Sequence, residues 1–174
     1  LMSERGRLPV PFSLEVAIQL ANGLKELHDR DLVHRDLTPS NVVITISRTG
    51  QRGVKLVDFG TVSIRSDKPD RRRPGHDQEH PVGTPAYMSP EQARLDVVDG
   101  LADQFALAVL LYEMISGGRP FAADELKAQS VLDFLRGDEP IPATPFEAGP
   151  VSLQTCVHRA LSRDKSERYS SMSE

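Results

Sequence analysis

The sequence has one cysteine, Cys156, and no tryptophan in its 174 residues. A single thiol forms no internal disulfide and no cysteine-based zinc site, and it fits a reducing compartment such as the cytoplasm. No apolar run is long enough to span a bilayer and the first residues do not form a signal peptide, so no membrane contact is expected of this segment. Positive charge is not in excess either. There are 21 Lys and Arg against 25 Asp and Glu, a net charge of −4, which gives no support to nucleic acid as a partner. Internal repeats and low-complexity segments are missing. The chain begins at Leu1 rather than at methionine, so it reads as a segment of a longer parent, and that parent could carry a membrane anchor.

What is present suits one soluble domain, or one large lobe of a domain. The composition is 39% hydrophobic and 26% charged, enough to bury a core. Residues 1–11 read as a short helical end and a turn. From Ser13, a candidate N-cap, Ala17, Leu20, Ala21, Leu24, Leu27 and His28 recur at helical spacing and predict an amphipathic helix ending near Asp29 to Asp31. Val42 to Ile44 and Val54 to Val57 are apolar, β-branched runs around a polar turn, and predict a hairpin. Residues 61–82, rich in charge, Gly and Pro, predict a loop. Arg71 to Arg73 within it reads as a solvated run, with a regulatory or docking patch as the alternative.

Leu101 to Ser116 is apolar nearly all round, the pattern of a buried helix, with Gly117-Gly118 as its stop. Asp124 to Leu135 predicts another helix, followed by a proline-rich loop from Pro140 to Pro150. Leu153, Cys156, Val157, Ala160 and Leu161 form the stripe of a further helix, which makes Cys156 a core thiol. Ser171 and Glu174 have capping-box spacing.

Three short motifs carry chemistry. His34-Arg35-Asp36-Leu37-Thr38-Pro39-Ser40-Asn41 places a carboxylate five residues before an amide, in a segment stiffened by proline. Phosphoryl transfer needs such a pair: a carboxylate to orient and accept the proton of an attacking hydroxyl, and an oxygen ligand for a magnesium ion that carries phosphate charge. Asp58-Phe59-Gly60 supplies a second carboxylate at the end of an apolar run, and the predicted hairpin would hold it close to Asn41. Gly83 to Glu91 reads Gly-Thr-Pro-Ala-Tyr-Met-Ser-Pro-Glu. Taken singly, Asn41 is a turn residue and Asp58 a strand-end cap; the set in this order argues for the functional reading.

Together these motifs resemble the catalytic loop, the magnesium loop and the end of the activation segment of protein kinases, and the resemblance covers essentially the whole chain. It implies a mainly α (α+β) fold, the C-terminal lobe of a kinase, with helices around a buried central helix and a small β-hairpin carrying the catalytic loop. It makes residues 1–174 that lobe alone, with no Gly-rich loop and no strand lysine in the sequence. The Pro-Ser-Asn and Ser-Pro-Glu-Gln wording is similar to serine/threonine kinases, and to bacterial kinases of the eukaryotic type.

By the resemblance, Asp36 is the catalytic carboxylate, Asn41 and Asp58 bind magnesium and thereby ATP, and a protein is the substrate. His34 becomes a packing and hydrogen-bonding residue, and Arg35 a partner for an anion on the activation segment, with Asp77 or Glu79 as candidates. Thr84 is expected to bond toward Asp36, Glu91 to pair with Arg168, and Asp103 to hold the catalytic loop's backbone. Thr38 departs from the pattern, standing where such kinases carry a lysine that contacts the transferred phosphate. The expectation is a serine/threonine kinase lobe that binds magnesium-ATP weakly on its own. The alternative is a pseudokinase or free-standing lobe that serves as a protein-binding module.

Overall fold

The computed structural model describes residues 6–64, 81–121, 128–141 and 149–174. The basic run Arg71 to Arg73, the candidate anions Asp77 and Glu79, the predicted helix start at Asp124 and most of the 140–150 loop lie outside the described residues.

Helix α1, Val10–His28, starts earlier than its capping pattern predicts. Pro9 is its N-cap residue and Pro11 lies in the first turn, where a missing N–H leaves no bond unmade. Ser13 is therefore inside the helix and buried, and its Oγ donates to the Pro9 carbonyl at 3.2 Å instead of capping. Val16, Ala17, Leu20 and Leu24 make the buried stripe.

The chain then forms two separate antiparallel ribbons. Strand β1, Leu32–Val33, pairs with β4, Ser63–Ile64. Strand β2, Val42–Ile46, pairs with β3, Arg52–Leu56, with Val42 opposite Leu56. The predicted hairpin is the second ribbon. The first was not legible, because β1 and β4 are two-residue strands and β4 lies in a stretch whose composition reads as loop. The candidate catalytic segment follows β1 and runs into β2, so one ribbon holds each of its ends.

The short helix α2, Pro90–Ala93, carries a full capping box between Ser89 and Gln92. Helix α3, Gly100–Ser116, is capped by Asp99, whose carboxylate accepts from Leu101 N at 3.0 Å. It is buried on nearly every side, with Phe105 and Val109 fully covered. Gly117, at φ +82°, ends it in the left-handed conformation that glycine adopts without strain. Helix α1 packs along α3, as does α5, Val151–Ala160; α4, Ala128–Arg136, packs on α2.

On α5, Leu153, Val157 and Ala160 face the core, and Cys156 is exposed. The stripe had one member too many: a helix covers 100° per residue, and position 156 falls on the flank of the face that 153, 157 and 160 define. At 171–174 the predicted box is shifted. Ser171 Oγ accepts from Ser173 N at 3.2 Å, but the Glu174 carboxylate accepts from Ser170 N at 2.8 Å. Among the described residues, no helix is long and apolar enough to cross a membrane.

Candidate active site

The site is built on an anchored, strained loop. Arg35 has φ +68°, a conformation that costs a non-glycine residue about 1 kcal/mol or more and persists only where its surroundings fix it. Asp103, 1% exposed near the start of α3, supplies part of that fixing. Its Oδ2 accepts from His34 N at 2.9 Å and its Oδ1 from Arg35 N at 2.8 Å. His28 Nε2, at the end of α1, lies 2.8 Å from Asp103 Oδ2. A carboxylate only accepts, so the imidazole carries its proton on Nε2. The His34 carbonyl accepts from Thr61 Oγ1 at 2.9 Å.

The His34 ring is fully buried, and among the described residues neither of its nitrogens has a hydrogen-bond partner. It packs edge-on against Phe59 with ring centroids 5.7 Å apart. The expected hydrogen bonding of His34 is thus made by its backbone, while its ring packs.

Asp36 faces two ways. Its Oδ1 accepts from both Thr84 N, at 2.9 Å, and Thr84 Oγ1, at 2.8 Å. Its carbonyl accepts from Asn41 Nδ2 at 2.8 Å, and the same nitrogen lies 3.4 Å from Asp36 Oδ2. The amide of Asn41 is therefore oriented, nitrogen toward Asp36, with Oδ1 left for another donor or a cation. Asn41 is 7% exposed, in a 3₁₀ turn over Pro39–Asn41. Val57 N donates to the Asn41 carbonyl at 2.9 Å, which continues the β2–β3 ladder and sets Asp58 beside the same turn. Asp58 is exposed, with φ +61°, and its Oδ1 accepts from Gly60 N at 3.1 Å.

Thr38 is 3% exposed and its Oγ1 lies 2.7 Å from Ser40 Oγ, so the two hydroxyls share a hydrogen bond. The structure thus gathers Asp36, Asn41 and Thr84 into one bonded group and leaves Asp58 adjacent to it. Among the described residues no donor is bonded to Asn41 Oδ1 or Asp58 Oδ2, and such oxygens are hard ligands that suit magnesium. Among the described residues no group of three or more His, Cys, Asp and Glu forms a metal cage, so a cation here would draw its remaining ligands from phosphate and water.

Next to this group, Tyr87 OH donates to the Glu113 carboxylate, and Arg119 lies over the Tyr87 ring at 5.1 Å. Burial, reinforced by Glu113, pushes the Tyr87 phenol well above its usual pKa. A cavity of about 580 Å³ opens here, lined in part by Pro39, Ser40, Tyr87, Glu113 and Arg119. Beyond it, Glu91 and Arg168 form a bidentate pair, Nη1 to Oε1 at 2.8 Å and Nη2 to Oε2 at 2.9 Å, with both residues buried. Arg168 also donates to the Ser162 and Leu101 carbonyls, at 2.8 and 2.9 Å, so its buried charge is fully surrounded by acceptors.

A family profile described as the protein kinase domain matches residues 2–173. The chain belongs to the protein kinase domain family. It is 35% identical over 159 residues to the serine/threonine-protein kinase Pkn1 of Myxococcus xanthus, covering 91% of this chain and 22% of that protein. It is 33% identical over 171 residues to the kinase PknA of Corynebacterium glutamicum, covering 97% of this chain and 33% of that one. With the PknB kinase of Mycobacterium leprae it shares 30% over 169 residues, covering 97% and 26%. The chain spans about a fifth to a third of the length of the curated relatives it matches.

In this kinase domain the sequence pointed to Asp36, Asn41, Asp58, Thr84, Glu91, Asp103 and Arg168. It did not point to Gln92, whose Nε2 donates to the Arg35 carbonyl at 2.8 Å, nor to the Thr61 bond on His34. It did not single out His28 as the partner of Asp103 either. Each is a long-range side-chain contact, with no local signal beyond a polar residue on an otherwise ordinary turn or helix.

Proposed function

We propose that this chain is the C-terminal, catalytic lobe of a serine/threonine protein kinase, which transfers the γ-phosphate of ATP to Ser or Thr hydroxyls of a protein. The observation that carries the reading is the bonding of Asp36. Its Oδ1 is held by Thr84 on the side of the Gly83–Glu91 segment, and its backbone by Asn41 on the other. A carboxylate fixed in this way can orient the substrate hydroxyl and take its proton, and Asp36 has this role. Thr84 holds the carboxylate toward the substrate-facing turn. Asn41 and Asp58 bind the magnesium that accompanies ATP, and Asn41 keeps its oxygen forward because its nitrogen is tied back. Bound magnesium-ATP supplies the phosphoryl group and the neutralisation of its charge.

Thr38 is a further member of the site. It offers a hydroxyl shared with Ser40 where a lysine would offer a cation. One missing charged donor in a water-excluded site is worth roughly 3 kcal/mol of transition-state stabilisation, or about 100-fold in rate. The reading is therefore a slow kinase rather than an inert one.

The test is Asp36→Asn in a kinase domain that joins this lobe to an N-terminal lobe. Transfer to a protein substrate should fall by about 100-fold or more while ATP binding is kept. Unchanged transfer would refute the role of Asp36. Thr38→Lys in the same protein should raise turnover, and no gain would refute the account of Thr38.

A second reading is favoured by one observation. Val43, Ile46, Phe59 and Ile64 are exposed apolar side chains on the two ribbons and the turn after β3. A free-standing lobe would use such a surface to bind another protein rather than to hold a nucleotide. Recovery of transfer on adding an N-terminal lobe separates the two.

A further inference from the structure

We infer that Gln92 is a positioning residue for Asp36, acting through the carbonyl of Arg35. The inference rests on the reading of Asp36 as the carboxylate that faces the substrate hydroxyl. Arg35 is the strained residue just before it, at φ +68°. Both backbone polar groups of Arg35 are held, each by a different element. Its N–H donates to Asp103 Oδ1 at 2.8 Å, and its carbonyl accepts from Gln92 Nε2 at 2.8 Å. The first bond comes from α3 and the second from α2. With both peptide groups fixed, the left-handed backbone cannot relax, and the direction in which Asp36 leaves the loop is set.

Gln92 is suited to this by having two ends. It is 6% exposed, and its Oε1 accepts from Ser89 N and Ser89 Oγ, each at 3.2 Å, which completes the cap of α2. Its Nε2 is thereby turned toward Arg35 O, with the Val82 carbonyl at 3.5 Å. Gly83 lies over the same carbonyl. A Cβ at position 83 would sit 3.0 Å from Arg35 O, and its φ of +124° also excludes most side chains. The segment that brings Thr84 onto Asp36 Oδ1 is thus the segment that presses on Arg35 from above. The carboxamide of Gln92 ties α2, the turn at 82–84 and the catalytic loop into one unit. Order in the substrate-facing turn and the aim of Asp36 then rise and fall together.

A residue that merely caps α2 would be replaceable by glutamate, the other common residue at that position of a capping box. Glutamate keeps the acceptor for Ser89 and, when ionised, has no proton for Arg35 O. The experiment is NMR on the isotope-labelled protein and its Gln92→Glu and Gln92→Met variants. The readouts are the Arg35 carbonyl ¹³C shift and the exchange rate of the Arg35 amide. In Gln92→Glu the melting temperature should fall at neutral pH, because an ionised carboxylate is then buried against the Arg35 carbonyl, and it should recover as that carboxyl is protonated. The Arg35 carbonyl resonance should move upfield and its amide exchange about tenfold faster, the size expected for one lost hydrogen bond. Protonating the introduced carboxyl at lower pH restores a donor. It should return both readouts toward the parent measured at the same pH. Gln92→Met, lacking both ends, should give the faster exchange and a lower melting temperature. Parent-like carbonyl shift and exchange in Gln92→Glu at neutral pH would overturn the inference, whether or not Gln92→Met folds. Neither readout requires phosphoryl transfer, so the result stands apart from that of Asp36→Asn.

Discussion

The two sides of the loop that carries Asp36 are finished to different degrees. On the helical side, polar groups meet partners deep inside the protein: Asp103 holds two backbone amides, and Arg168 holds Glu91 and three carbonyls. On the ribbon side, Ile46 is 72% exposed, Ile64 73% and Phe59 53%. The difference shows where the fold supplies its own cover and where it does not. A buried charge demands complete satisfaction from the same chain, because any shortfall costs several kcal/mol. An apolar side chain at a surface carries a smaller penalty and can wait for a partner. The loop that carries Asp36 lies at this boundary, rigid from behind and open in front.

Breaking the helical side should have the largest effect. Arg168→Met leaves the Glu91 carboxylate buried without its partner and should destabilise the fold by about 3–5 kcal/mol, read from urea unfolding. Adding Glu91→Leu should recover most of the loss, because an apolar pair carries no desolvation penalty. A cost below about 1 kcal/mol for the single change would mean that water reaches this pair.

Tyr87, between the two sides, should give an intermediate effect. Tyr87→Phe removes a buried hydrogen bond to a carboxylate and should cost about 1.5–3 kcal/mol. It should also change the alkaline limb of stability. The folded state raises the phenol's pKa, so folding favours its neutral form. That contribution is complete below the unfolded value of about 10 and is lost as pH climbs from there toward the folded value. Thermal unfolding above about pH 10 should show a steeper decline in the parent than in Tyr87→Phe.

The smallest change in stability belongs to the ribbons. Ile46→Thr and Ile64→Thr should alter unfolding free energy by no more than about 0.5 kcal/mol. Both should raise the concentration at which the protein begins to aggregate, measured by light scattering. A large loss of stability in either would mean that the ribbon side is a core and not a surface.

Much of this architecture is written locally. A period-3.6 stripe gave α1, a run apolar nearly all round gave α3, β-branched runs gave the β2–β3 ribbon, and the Gly117 stop falls where glycine permits a left-handed turn. The motif spacing gave Asp36, Asn41 and Asp58. What stayed hidden is non-local or too short for periodicity. The pairing of Leu32–Val33 with Ser63–Ile64 has no repeat to reveal it. Ser13 has the chemistry of a cap, but Pro9 and Pro11 set the helix start before it. Cys156 lies on the edge of a stripe, and hydrophobic character alone does not separate an edge from a centre. Gln92 shows a capping box in the sequence only as a spacing, with nothing to say that the other end of its amide reaches the Arg35 carbonyl.

Gly100 opens α3 directly against the imidazole of His28. A methyl group there would come within 2.6 Å of the ring, so α1 and α3 meet with no room for even the smallest side chain. The two helices are in effect welded at that point, and the weld carries the bond from His28 to Asp103. The bond from His28 joins the end of α1 to Asp103, the residue that holds the backbone amides of His34 and Arg35 just before Asp36.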